Sequence, residues 1–171
     1  ILSQEEIEYA FKVMDTEEMV FTTGIPWSAG FIDYYADEFD WISLCDGFDM
    51  PFTEELIEKY LDRVHFGNHN IKLHKDWIKL RSLDIEPEYH PGLSANNRLP
   101  WFEKLILKYK DKWDWTELSG NDSLPWSVSL IDSFKDCWNW KALSGNNCWN
   151  NELLNRYSPQ LDWGVLSANF G

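Results

Sequence analysis

The sequence predicts an all-α protein: a right-handed α-solenoid of about six two-helix repeats, each of about 25 residues, behind an N-terminal cap helix. Three observations lead there. Segments beginning Gly24-Ile25-Pro26-Trp27, Met50-Pro51-Phe52, Leu99-Pro100-Trp101, Leu124-Pro125-Trp126 and Asn147-Cys148-Trp149 recur along the chain. In each, a second aromatic follows 14 residues later, at Trp41, Phe66, Trp115, Trp140 and Trp163. Between the two aromatics, apolar residues fall at the i, i+1, i+4 spacing of one helix face.

The first helix of each copy, helix A, has a clear start. The residue after the Pro-aromatic pair is Ser28, Thr53, Ser127 or Asn150, side chains whose oxygen accepts an orphan N–H of the first turn. Phe102 holds that slot in the remaining copy and predicts a weaker start. The aromatic just before the cap and the Ile or Leu four residues past it are spaced as a hydrophobic staple. The proline lies outside the helix, where its missing N–H costs nothing. The predicted buried stripe is Phe31-Ile32-Tyr35, Leu56-Ile57-Tyr60, Leu105-Ile106-Tyr109, Leu130-Ile131-Phe134 and Leu153-Leu154-Tyr157. The opposite face is Asp, Glu and Lys, a solvated surface.

Helix B follows at once and is only one to two turns long. Asp40, Asp114, Asn139 and Asp162 sit in its N-cap slot. Trp115 with Leu118, Trp140 with Leu143, and Trp163 with Leu166 are i, i+3 pairs on one face. Asn96, Asn121, Asn146 and Asn169 recur at its end, where asparagine tolerates the backbone that stops a helix. In a stack, these asparagines are placed to bond neighbouring backbone as a ladder. Neither short helix buries its apolar face alone, and stacking on neighbours supplies the burial.

Ten of the eleven tryptophans occupy repeat slots, all but Trp77. Trp27, Trp41, Trp101, Trp115, Trp126, Trp140, Trp149 and Trp163 are therefore read as framework, not as a platform for stacking sugars or bases.

The organisation expected is a single repeat domain over 1–171. Residues 1–23 form the cap, with a capping box at Ser3 and Glu6 ahead of Ile7, Phe11 and Met14. Copies follow over 24–66, a degenerate copy over 67–91, and regular copies over 92–171, the last incomplete. Its final edge carries no polar cap, so further repeats or a partner are expected over it. In the degenerate stretch Asp76 serves as N-cap, Leu80 and Leu83 continue the stripe, and Pro87 and Pro91 interrupt the second half.

The units resemble W-[DN]-W-x-x-L-S-x-N-x-x-L-P-W repeats of tandem arrays in large bacterial and giant-virus proteins. The match is strong over 92–171, good over 24–66 and poor between. The resemblance implies the architecture and carries no activity.

Charge narrows the partners. The net charge is −14, and residues 1–63 hold 16 Asp/Glu against 3 Lys/Arg. That imbalance excludes the basic footprint of direct nucleic-acid binding and suits a protein partner with a basic surface. No stretch approaches the ~20 apolar residues of a membrane span. No basic-then-apolar leader pattern opens the chain. Cys45, Cys137 and Cys148 have no CxxC spacing, which fits a reducing, cytoplasmic setting, with Cys45 in a serine slot and Cys148 in a proline slot.

No catalytic constellation and no cofactor motif is visible. All four histidines, His65, His69, His74 and His90, lie in or beside the irregular stretch, with Lys72, Lys75, Lys79 and Arg81. His65 and His69 have i, i+4 spacing, yet no cysteine pair or carboxylate set completes tetrahedral ligand spacing. Repeat decay accounts for the stretch as simply as function does. The leading expectation is a non-catalytic protein-binding repeat module, with no enzyme activity. Its candidate contact residues are Asp33, Asp37, Glu54, Glu55, Glu58 and Asp62 on the acidic face, and His69, His74, Lys75, Lys79 and Arg81 in the irregular stretch. Two alternatives remain: an acidic inhibitor or immunity-type protein neutralising a basic toxin or nuclease, and a metal-dependent enzyme using the histidine-rich stretch.

Overall fold

A computed structural model describes residues 3–13, 25–47, 50–67 and 89–168. Among them every regular element is helical, and no strand occurs. The chain divides into two compact units, Ile1–Pro100 and Trp101–Gly171. In the first lie α1 (Gln4–Val13), α2 (Ala29–Tyr34), α3 (Trp41–Asp46), α4 (Glu54–Lys59) and a 3-10 turn, η1 (Gly92–Ala95). In the second lie α5 (Glu103–Lys108), α6 (Trp115–Gly120), α7 (Val128–Ser133), α8 (Trp140–Ser144), α9 (Asn151–Tyr157) and α10 (Trp163–Ala168). Helices A are α2, α4, α5, α7 and α9; α3, α6, α8 and α10 are helices B.

The starts are the ones the sequence predicts. Ser28, Thr53, Ser127 and Asn150 each accept the N–H three residues on, at 3.1, 3.2, 3.2 and 3.0 Å. Phe102 precedes α5 with no side-chain cap. Asp40, Asp114 and Asn139 cap helices B, and Asp162 Oδ1 accepts from Val165 N at 3.1 Å. Ser3 and Glu6 form the reciprocal capping box of α1. Through Ala10, α1 packs with Ile25, Trp27 and Phe31.

The stripe of helix A is the core. Ile32, Ile57, Leu105, Ile106 and Ile131 are fully buried. Tryptophan is favoured over other aromatics because its N–H closes carbonyls that short helices leave open. Trp113 and Trp138 each reach back seven residues, donating to Ile106 O at 3.0 Å and Ile131 O at 3.1 Å. Trp41, Trp115 and Trp163 reach back five, to Ala36, Lys110 and Ser158. In three copies the aromatic before the cap finds a ring partner 12 residues on: Trp27 lies 5.9 Å from Phe39, Trp101 5.2 Å from Trp113, and Trp126 4.9 Å from Trp138.

Successive copies meet through recurring bonds. In the second unit α8 packs against both α6 and α10. The Asn139 N–H donates to Ser119 Oγ at 3.0 Å, and the Asp162 N–H to Ser144 Oγ at 2.9 Å. The asparagines bond neighbouring backbone as well: Asn146 Nδ2 donates to Ser119 O, and in the first unit Asn96 Nδ2 donates to Gly47 O and Met50 O. Asn169 lies outside the described residues.

Candidate functional site

The acidic face is built on α2 and α4 and the turns that follow them. Glu54 and Glu55 stand in the first turn of α4, where the helix N-terminus favours negative charge. Glu55, Glu58 and Asp62 are exposed and Glu54 is half-buried. Asp33 and Asp37 are exposed but paired with cations of the same chain. Asp33 accepts from Lys59 Nζ and, at 2.7 Å, from the Tyr60 hydroxyl. The Lys59 and then the Tyr60 hydrogen bond hold its carboxyl below the usual carboxylate range. Asp37 pairs with Arg63 at 2.5 Å, while Arg63 Nη1 donates to Ala36 O and its guanidinium lies over Trp41 and Tyr60. Asp33 ties α2 to α4, and Asp37 ties the turns that follow them; Glu55, Glu58 and Asp62 are exposed on the same face.

The same device recurs between α7 and α9. Asp132 accepts from the Tyr157 hydroxyl at 2.8 Å and from Arg156 at 2.5 Å. The tyrosine bond, then the arginine bond, lowers its pKa. Above each clasp, the tryptophan opening helix B meets the clasping ring of the next copy: Trp41 with Tyr60 at 4.6 Å, Trp140 with Tyr157 at 5.7 Å. Sequence reasoning overlooked the clasp. Its signal is an Asp five residues past the helix A cap, with Lys-Tyr or Arg-Tyr in the following copy.

A second cluster gathers at the C-terminal end of α3. Asp46 Oδ2 lies 2.5 Å from His90 Nδ1; Oδ1 accepts from Gly92 N at 2.8 Å and lies 3.3 Å from His65 Nε2. His65 Nε2 also lies 3.1 Å from Ile42 O, an acceptor, so this nitrogen carries the proton. Burial pushes the Asp46 carboxyl up, and the bonds from His65 and His90 outweigh it, leaving its pKa below the ordinary value. Cys45 beside it is fully buried, which pushes its thiol far up, while the His65 backbone N–H donates to its sulfur. It therefore does the work of the serines at 119 and 144. Burial pushes the Cys148 thiol up to about 12. Neither thiol is poised as a nucleophile.

Of the other sequence candidates, His69, His74, Lys75, Lys79 and Arg81 lie outside the described residues, as do Asp76, Trp77, Leu80, Leu83 and Pro87. Among the described residues no His, Cys, Asp and Glu group has the disposition of a metal site. Nor is any described helix long and apolar enough to cross a membrane. Trp41 and Trp149 are buried, Trp27, Trp101, Trp115, Trp126 and Trp140 are half-buried, and Trp163 is 57% exposed. Comparison with known protein families, characterised proteins and solved structures found no match to this chain.

Proposed function

We propose that this protein is a non-catalytic α-solenoid module of the tandem tryptophan-repeat kind, which binds a protein with a basic surface through the solvent side of α4. The supporting observation is the recurring junction. Asp33 bonded to Lys59 and Tyr60, and Asp132 bonded to Arg156 and Tyr157, support a stack in which polar side chains fasten neighbouring copies. Glu55, Glu58 and Asp62 lie off the buried stripe, so they can meet a cationic surface without disturbing the core. Long-range attraction of this kind raises the association rate and is screened by salt.

The test is capture of partners on the immobilised protein, followed by association kinetics with the purified partner. Glu55→Lys, Glu58→Lys and Asp62→Lys together should lower the association rate at least tenfold at low salt, with the loss shrinking at high salt. Asp136→Lys in α7's copy is the control, because Asp132 is held in a clasp and its reversal would damage the junction. Equal effects from both sets would remove the acidic face from the function.

A further inference from the structure

The stretches that carry helix B return the leucine N–H to the capping residue, two of the regular ones add a serine-to-tryptophan bond, and in one further stretch both bonds span a gap in the sequence. In the regular copies the leucine N–H returns to the capping residue: Leu44 to Asp40 O at 3.0 Å, Leu118 to Asp114 O at 2.9 Å, Leu143 to Asn139 O at 2.8 Å. The following serine hydroxyl donates to the tryptophan carbonyl, Ser119 to Trp115 O at 2.5 Å and Ser144 to Trp140 O at 2.7 Å. In the copy that begins at Met50, the capping slot is His65 and the aromatic is Phe66. Here the N–H that returns to His65 O, at 3.1 Å, belongs to Leu93, and the hydroxyl that donates to Phe66 O belongs to Ser94. Asn96 N then bonds Leu93 O, as Asn121 N bonds Leu118 O.

The register agrees residue for residue. Two residues, Thr116 and Glu117, separate Trp115 from Leu118; Gly67 and Gly92 stand between Phe66 and Leu93 in the same two places. These glycines abut: a Cβ on Gly92 would lie 2.7 Å from Gly67 N and 2.7 Å from His65 Nδ1. Both have positive φ, +148° at Gly67 and +59° at Gly92, where a side chain would be strained. The packing agrees too, since η1 lies against α3 as α8 lies against α6.

We propose that the second helix B is split: two separated stretches, His65–Gly67 and Gly92–Asn96, together make its bonds while bending at the two glycines, with Asp46 the latch that joins them across 24 inserted residues, 68–91. One carboxylate holds a side chain from the first stretch, His65, and the Gly92 N–H of the second, with His90 beside it. The stretch 67–91 is then no copy of its own, and the array has five copies, one of them carrying an insertion of a repeat's length. This inference stands independently of the binding role proposed above.

The test reads hydrogen exchange in the full chain. Asp46→Ala should lower protection of the Leu93 and Ser94 amides at least tenfold and leave Leu118 and Leu143 unchanged. In a second variant, residues 68–91 are removed and Gly67 is joined directly to Gly92. That chain should melt at or above the parent midpoint, because a loop closure is removed rather than a repeat. Leu93 should stay protected in it, with or without Asp46→Ala. Unchanged Leu93 exchange in Asp46→Ala would overturn the latch. A joined chain that melts well below the parent, as loss of an interior repeat demands, would overturn the split helix. If Asp46→Ala unfolds the parent, the joined background decides: folded there supports the proposal, unfolded there overturns it.

Discussion

Helices α5 and α7 are the same helix written twice, and they differ in both polar devices. Helix α7 begins at a capping serine, Ser127, and carries Asp132, which clasps Tyr157 and Arg156 of the next copy. In α5 the matching slots hold Phe102, which makes no side-chain cap, and Leu107, which is 61% exposed. The next copy answers in kind: facing α5 are Ser133 and Phe134, with no cation and no hydroxyl on the ring, and Ser133 Oγ donates instead to Glu103 at 2.6 Å. Yet α5 buries Leu105, Ile106 and Tyr109 as completely as α7 buries its stripe, and Trp115 meets Phe134 at 5.5 Å. Apolar stripe and tryptophan framework therefore suffice to set the helix, and caps and clasps adjust its stability.

That ordering fixes the size of the effects. The largest loss should come from the deepest tryptophans. Trp41→Ala and Trp138→Ala remove rings 1% and 5% exposed together with their carbonyl bonds, and each should cost about 3–5 kcal/mol. Trp126→Ala and Trp140→Ala, half-buried, should cost less, and Trp163→Ala should stay within about 0.5 kcal/mol, the range of exposed positions. Denaturant midpoints of the five variants check the order. A Trp163 variant as damaged as Trp138 would mean that exposure does not rank the slots.

Next comes Asp46, whose effect depends on pH. Its folded pKa is lower than its unfolded value, so the native state binds fewer protons than the unfolded chain around those values. Its stabilisation is therefore complete above the ordinary carboxylate range, about 4, and is lost as pH falls through its lower folded value. Leu93, beside this carboxylate, should lose amide protection in that acid window before Leu143 does, since the helix of Leu143 is capped by Asn139, which does not titrate. Simultaneous loss at both amides would show that Asp46 adds nothing local.

The all-helical class and the helix starts were legible in the sequence because capping residues, stripes and aromatic spacing are local signals that recur. Ser28, Asp40 and their counterparts are read from one segment alone, and Phe102 was legible as the exception for the same reason. The clasps and the Asp46 cluster were not read, because they join residues 19 to 46 positions apart, such as His65 and Gly92 with Asp46 and Arg156 with Asp132. A pattern confined to one copy does not show them. Asp33 and Asp37 looked like open acidic surface because their cations sit in the following copy. The irregular stretch is ambiguous in another way: residues 68–91 number 24, close to one repeat, so by length alone an insertion and a decayed copy read alike.

The caps give a smaller effect. Ser127→Ala should cost about 1 kcal/mol, the usual loss for a capping hydroxyl. Phe102→Ser should gain up to about 1 kcal/mol from the new cap, reduced by the lost burial of a half-buried ring. Opposite signs in thermal unfolding confirm that the two slots are equivalent. Destabilisation by Phe102→Ser would mean that the ring's packing outweighs the cap it displaces.

The smallest effect is also the most specific: the clasp should be transferable. Leu107→Asp, Ser133→Arg and Phe134→Tyr place in α5 and α7 the three groups found in α7 and α9. The positions permit it. Leu107 is largely exposed, so its loss empties no core, and Tyr157 reaches Asp132 from the ring slot that Phe134 occupies. Against the gain stands the lost bond from Ser133 to Glu103. Exposed pairs of this type contribute little individually and are screened by salt, so single substitutions should be neutral or slightly harmful. The triple variant should nonetheless melt above the level expected by adding the singles, with the excess present near neutral pH and reduced in concentrated salt. As with Asp132, whose pKa is lowered by its partners, the excess should vanish as pH falls below the carboxylate range. Strict additivity across the singles, doubles and triple would show that the clasp is a by-product of helix packing, and that the paired absence at Leu107 and Phe134 is coincidence rather than coupling.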